Sequence, residues 1–416
     1  MAKPTYHYPI PNSYWIQKLC IWADASFPYF AFLNGNGYQY PESPFETRFL
    51  SGHHLLSEKE IWDSNYTHTR VGVIGYDFKN QIEKLESNNP VLLSLPETCF
   101  FKATFSLTFF DGKIGSSAPL DSSFWNQVAK IVLPESPIIT AKVVPQLTIV
   151  EYIESVRKIQ NHIIEGDTYE CNFCQSYQGE FELWDPISAY FELNSRSPMP
   201  FSALFKAKEK WIVSASPERY LKRSANKLIA QPIKGTIRRG KTEAEDNIQY
   251  ERLRTSEKEQ AENLMITDLM RNDLSKLSET GSVKVDELFG IYPLPFIFQM
   301  ISTISSTLRN TVEFKEIINA TFPMGSMTGA PKISTMKIID QLESFKRAWY
   351  SGAFGVIEPN GDFDFSVIIR SIIADIKHKK LYFGVGSAIT YDSDPIYEYE
   401  ECSLKARAIL DVLSGK

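Results

Sequence analysis

Hydrophobic runs long enough to cross a membrane are missing from this chain: no stretch of about 18 or more apolar residues occurs, which excludes a helical span. Basic clusters are missing too. The 44 Lys and Arg stand against 50 Asp and Glu, a formal net charge of −6, and nowhere do the positive residues gather into a patch able to displace counterions from nucleic acid. Cysteine is scarce, with Cys20, Cys99, Cys171, Cys174 and Cys402 odd in number and scattered, so no disulfide framework is written into the sequence. The N-terminus lacks the charged-then-apolar pattern of a secretory signal, and a reducing cytoplasm is the expected location. Cys171 and Cys174 form a C-x-x-C, but no second pair follows. Beside Tyr169, Asn172 and Phe173 they read as small packing residues of a strand rather than a redox or zinc site.

What is present is ordinary for a soluble globular protein: 416 residues, 43% hydrophobic and 23% charged. Short alternating runs such as 70–76 and 101–110, with turns at Asn34-Gly35, Asn36-Gly37 and Asp111-Gly112, predict antiparallel sheet through residues 1–145. From 146 to 416 the texture changes. Val150, Ile153, Val156, Ile159 and Ile163 recur at helical spacing, and further helices are predicted over 257–277, 331–342 and from Pro395 onward. Strands are predicted at 202–206, 211–215, 350–357, 364–373 and 381–385. No linker separates the two parts, so the expected fold is α+β: large antiparallel sheets with helices packed outside, the N-terminal part interleaved with the rest in one body.

Chemistry concentrates at a few places. Gln231-Pro232-Ile233-Lys234-Gly235-Thr236 sets a lysine in an apolar turn, where burial is expected to lower its pKa toward a free, nucleophilic amine. Gly235 would allow close backbone approach to a ligand and Thr236 adds a hydroxyl; a solvated surface lysine is the competing reading. Glu259 and Glu262 lie on one face of a predicted helix, and Glu398 and Glu401 repeat the spacing in the last one. They read either as solvated faces or as two halves of a site for a hard cation such as Mg²⁺, since no His or Cys accompanies them. Arg370 ends an apolar strand and needs an anionic partner, a substrate carboxylate or a structural one. Gly384 and Gly386 either bring N–H groups to the same anion or form a bulge. The 322–332 segment invites a phosphate-loop reading that Pro331 defeats by removing a backbone donor.

Taken in series, Pro232-Ile233-Lys234-Gly235-Thr236, Glu262 through Leu269 with Arg271-Asn272-Asp273-Leu274, the 322–332 segment, and Asp392-Ser393-Asp394-Pro395 through Glu401 resemble the chorismate-utilising enzymes, over roughly 148–414. Within that family the residue before Gly-Thr sorts the chemistry: alanine in anthranilate and salicylate formers, lysine in those that make 4-amino-4-deoxychorismate, the precursor of p-aminobenzoate and folate. The resemblance implies that Lys234 attacks C2 of chorismate, that ammonia from a separate glutamine amidotransferase displaces it at C4, and that Glu218, in Ser216-Pro217-Glu218-Arg219, is the general acid/base. It implies a two-lobed sandwich with a variable N-terminal part, Mg²⁺ on Glu262 and Glu401, with Glu259 and Glu398 nearby, and chorismate carboxylates on Tyr350, Arg370, Gly386, Gly235 and Thr236.

Three positions depart from the family pattern. Gln299 stands where many relatives have histidine, Glu170 where water-adding relatives have lysine, and Ser387, in place of a glycine, is expected to crowd the carboxylate pocket. Anthranilate formation is the alternative activity; a catalytically silent binding or regulatory homologue is the alternative of another class.

Overall fold

A computed structural model describes residues 4–416. Two large antiparallel sheets form its frame. The first has 12 strands, running in order Tyr6–Pro9, Lys113–Ser116, Phe105–Phe110, Arg48–Gly52, Tyr29–Asn34, Phe201–Ala207, Lys210–Ser216, Ser371–Asp375, Lys380–Ile389, Glu170–Glu180 and Gly329–Ala330, with Lys142–Pro145 also on Glu170–Glu180. The second has 10, running Ile233–Arg238, Ile297–Thr307, Lys227–Ala230, Arg219–Ser224, Phe363–Val367, Ala353–Ile357, Arg70–Ile74, Thr98–Lys102 and His54–Leu55, with Lys284–Pro293 also on Ile297–Thr307. Strands from the first third of the chain enter both sheets, so the N-terminal part shares its hydrogen bonding with the rest.

The sheets pack face to face over an aromatic core. Phe205 of the first meets Phe354 of the second with ring centroids 5.5 Å apart, and Trp349 and Phe101 close on the same ring. Such tilted, edge and stacked contacts join large apolar area to favourable ring geometry. A second core lies on the other face of the larger sheet, where Val156 and Ile159 of helix Ile149–Ile164 and Cys402, Ala406 and Ile409 of helix Pro395–Ser414 cover Phe173 and Phe383.

The helical readings hold closely. Thr148 and Glu151 form a capping box on Ile149–Ile164; Asp394 accepts from the N–H groups of Ile396 and Tyr397, and Pro395 opens the last helix, which ends at left-handed Gly415. The 364–373 run is not one strand. It breaks at Arg370, whose φ of 50° turns the chain between Phe363–Val367 and Ser371–Asp375. The 101–110 run likewise divides at Ala103-Thr104, and Tyr350 lies in the turn before Ala353–Ile357. Helices Trp15–Ser26 and Ser122–Ala129 interrupt what the sequence suggested was all sheet.

Candidate active site

Lys234 sits on the first strand of the smaller sheet, not in a free turn. The pairing of Ile233–Arg238 with Ile297–Thr307 shifts register between Ile233 and Thr236, because Gly235 has a φ of 91°. A Cβ there would also press on Leu253 and Glu259 at 3.1 and 3.2 Å, so glycine is required both by the backbone and by the helix facing it. This bulge aims the Lys234 side chain inward, 11% exposed, to donate from Nζ to Glu170 Oε1 at 2.6 Å.

The expected lowering of the Lys234 pKa is overturned. Burial, the largest single influence, does pull it down, but Glu170, Glu262 and Glu401 together push it well above the ordinary lysine range. The apolar neighbours in the chain do not decide its charge state; the acids that arrive from three other elements do.

Those acids do converge. Helix Glu257–Ser275, capped by Ser256, packs on the lysine's own strand and its neighbour and brings Glu259 and Glu262; the last helix brings Glu398 and Glu401. Lys258 Nζ lies 3.8 Å from Glu262 Oε1 and 3.8 Å from Glu398 Oε1, spanning the two helices. Glu401 pairs with Lys405 at 2.5 Å. Burial pushes the Glu262 carboxyl up to about 7, and raises those of Glu259 and Glu398; Glu401, despite its burial, is held low by Lys405. Crowded, half-desolvated carboxylates with too few cations are what a hard divalent ion would relieve, so the four residues fit Mg²⁺. A tighter cluster of His162, Glu165 and Asp167 occurs elsewhere among the described residues, but it is largely exposed and its His162–Asp167 pair, at 2.8 Å, explains it.

Glu218 follows strand Lys210–Ser216 and is 6% exposed, with Ser326 Oγ donating to its Oε1 at 2.7 Å. Burial pushes its carboxyl up to about 7, while Ser326, Lys234 and Arg370 act the other way. The Arg370 guanidinium feels Glu218 and Glu401 but makes no side-chain hydrogen bond or ion pair with any described residue, so it is free for a substrate anion. Ser326 was missed in the sequence. It belongs to the segment rejected as a phosphate loop, and a pairing across 108 residues leaves no local signal.

The remaining residues fall differently. Gly384 and Gly386 stand in an unbroken register with Ser176 and Cys174, so they form no bulge. A Cβ on Gly384 would strike the Tyr350 ring at 2.3 Å and one on Gly386 the Cys174 Sγ at 2.4 Å; both make room for side chains. Tyr350 donates to Cys174 Sγ at 3.5 Å, and Thr236 is exposed. Ser387 shares a 3.0 Å hydrogen bond with Tyr152, and its hydroxyl also tempers the rise of the Glu398 carboxyl. Cys171 and Cys174 belong to opposite cores, which rules out joint ligation. A cavity of about 780 Å³ lined by Asp24, Phe27, Trp184, Lys206 and Trp211 shares no residue with this site.

With this geometry in hand, residues 37–411 match the family model described as chorismate binding enzyme. The chain belongs to that family. As a chorismate binding enzyme it is 35% identical over 370 residues to a chloroplastic aminodeoxychorismate synthase of Arabidopsis thaliana, covering 81% of this chain and 39% of that protein. It is 32% identical over 350 residues to aminodeoxychorismate synthase component 1 of Klebsiella aerogenes, covering 83% and 77%. The chain spans about two fifths of the plant relatives it matches. Anthranilate synthase component I from Streptococcus pneumoniae shares the fold of this chorismate binding enzyme with a TM-score of 0.74 at 24% identity, over 92% of this chain and 90% of that one. The architecture expected from the sequence is thereby shown.

Proposed function

We propose that this chorismate binding enzyme converts chorismate and ammonia to 4-amino-4-deoxychorismate through a covalent bond to Lys234. The observation that carries the reading is the placement of Lys234 Nζ, buried on Glu170 and within the field of Glu262, Glu401 and Glu218. A lysine enclosed by catalytic-type carboxylates has a place to leave its proton and a fixed line of attack. Glu218, protonated below about pH 7, donates to the C4 hydroxyl as it leaves. Arg370 receives a substrate carboxylate. Glu262 and Glu401, with Glu259 and Glu398, would hold Mg²⁺, which supplies positive charge against the ring carboxylate when bound.

Ammonia reaches the site from a partner glutamine amidotransferase in this reading, the partner type that the sequence resemblance implies. A reducing cytoplasm agrees with five cysteines that are all unpaired and buried. Among the described residues no helix is long and apolar enough to cross a membrane.

Anthranilate formation is the competing activity, favoured by a 36% identity over 255 residues to anthranilate synthase component 1 of Neisseria meningitidis. Incubation with chorismate, Mg²⁺ and ammonium chloride separates the two. The expected product yields p-aminobenzoate only after aminodeoxychorismate lyase is added; fluorescent anthranilate without the lyase would overturn the reading.

A further inference from the structure

Glu170 has a buried carboxylate whose bonding is half complete. It is fully buried on strand Glu170–Glu180, its Oε1 accepts from Lys234 Nζ at 2.6 Å, and its Oε2, equally shielded from solvent, has no hydrogen-bond partner. An ionised carboxylate offers about four lone-pair positions, and leaving a buried oxygen unpaired costs on the order of 1–3 kcal/mol or more, so such an atom marks the place of a donor. The donor must be small, since Glu170 has no exposed surface, and a cation suits an oxygen already sharing negative charge.

We propose that Glu170 Oε2 binds ammonium and that Glu170 relays a proton between the incoming and the leaving nitrogen. The inference rests on the synthase reading above, in which Lys234 is first bonded to C2 of the substrate. Ammonium on Oε2 gives one proton to the carboxylate, and the ammonia lone pair bonds to C4. The double bond shifts, the C2–N bond to Lys234 breaks, and its electron pair stays on the lysine nitrogen. The carboxylic acid turns so that the proton received on Oε2 faces the nitrogen held against Glu170, and the nitrogen takes it as the C2–N bond breaks. Four hydrogens on ammonium and one on the bonded lysine nitrogen become three on the new C4 ammonium group and two on the released amine, with no net change of charge. One carboxylate touching both nitrogens makes the exchange a short relay instead of two separate proton transfers through solvent.

The test is steady-state kinetics of the whole chain with ammonium chloride as nitrogen source, at saturating chorismate and Mg²⁺, for wild type, Glu170→Gln and Glu170→Asp. The amide of Glu170→Gln keeps the shape but loses the charge and the proton acceptor. Its KM for ammonium should rise at least about tenfold while KM for chorismate stays within about twofold, a split that general loosening of the site would not give. Glu170→Asp keeps the charge at a longer reach and should fall between the two. An ammonium KM equal to wild type in Glu170→Gln overturns the relay, whatever happens to kcat. If Glu170→Gln shows no turnover, Glu170→Asp decides by the same comparison. Wild-type protein that makes no aminated product contradicts the synthase reading itself, whereas aminated product from every variant at one ammonium KM removes the relay alone.

Discussion

At the scale of single residues, Glu218 carries the sharpest pH signature. Its buried carboxyl is raised to about 7, so the acid form that the proposed reaction uses is lost as pH rises through that value. The rate of chorismate consumption at saturating Mg²⁺ should fall on the alkaline side of about pH 7, and Glu218→Gln should lose this limb with most of the rate. A Glu218→Gln profile superimposable on wild type would remove it as the acid. Motif residues were legible here because their order along the chain is distinctive: Lys234, Glu218 and the four glutamates all stand around one site. Their charge states were not legible. The pKa of Lys234 depends on Glu170, 64 residues earlier in the chain, and that of Glu218 on Ser326, 108 residues later.

At the scale of elements, the site depends on two helices meeting across Lys258. Glu257–Ser275 and Pro395–Ser414 each carry an i, i+3 glutamate pair, and the spacing shows which face they share without showing that the faces meet. Lys258, one residue before Glu259, reaches both helices and occupies some of the field a divalent ion would fill. Glu262→Gln and Glu401→Gln should each raise the Mg²⁺ concentration for half-maximal rate by about tenfold or more, the change expected from removing one charged ligand. Unchanged Mg²⁺ dependence in both would refute the assigned ligands. The caps of these helices were readable in Asp394-Pro395. Helices Trp15–Ser26 and Ser122–Ala129 were not, because their aromatic content resembles the alternating pattern of the strands around them.

At the scale of the whole molecule, buried acid makes stability depend on pH. Glu218 and Glu262 rise from an ordinary 4.5 to about 7, and Glu259, Glu398, Glu343 and Asp77 shift the same way. A carboxyl raised by folding binds its proton more tightly in the folded state. Stability from these groups is therefore full below about 4.5 and declines as pH rises to about 7. Glu401, Glu358 and Asp375, held low, act below that window. Calorimetry without divalent ions should show Tm falling from about pH 5 to about pH 8, and added Mg²⁺ should restore part of the loss at the upper end by binding ionised Glu262. A Tm that rises over this range, or is indifferent to Mg²⁺ at its upper end, would contradict the electrostatic picture of the site. Large antiparallel sheets were legible from strand alternation and turns, and the two-lobed sandwich from the resemblance to the chorismate-utilising enzymes. Which strand joins which sheet was not, since register among strands as distant as Arg70–Ile74 and Ala353–Ile357 is set by packing.

The most direct test of the central claim is the rate of 4-amino-4-deoxychorismate formation from chorismate and ammonium chloride by Lys234→Ala, measured beside wild type at saturating Mg²⁺. Loss of the nucleophile should lower that rate by about a thousandfold or more. Equal rates in the two proteins would contradict covalent participation of Lys234.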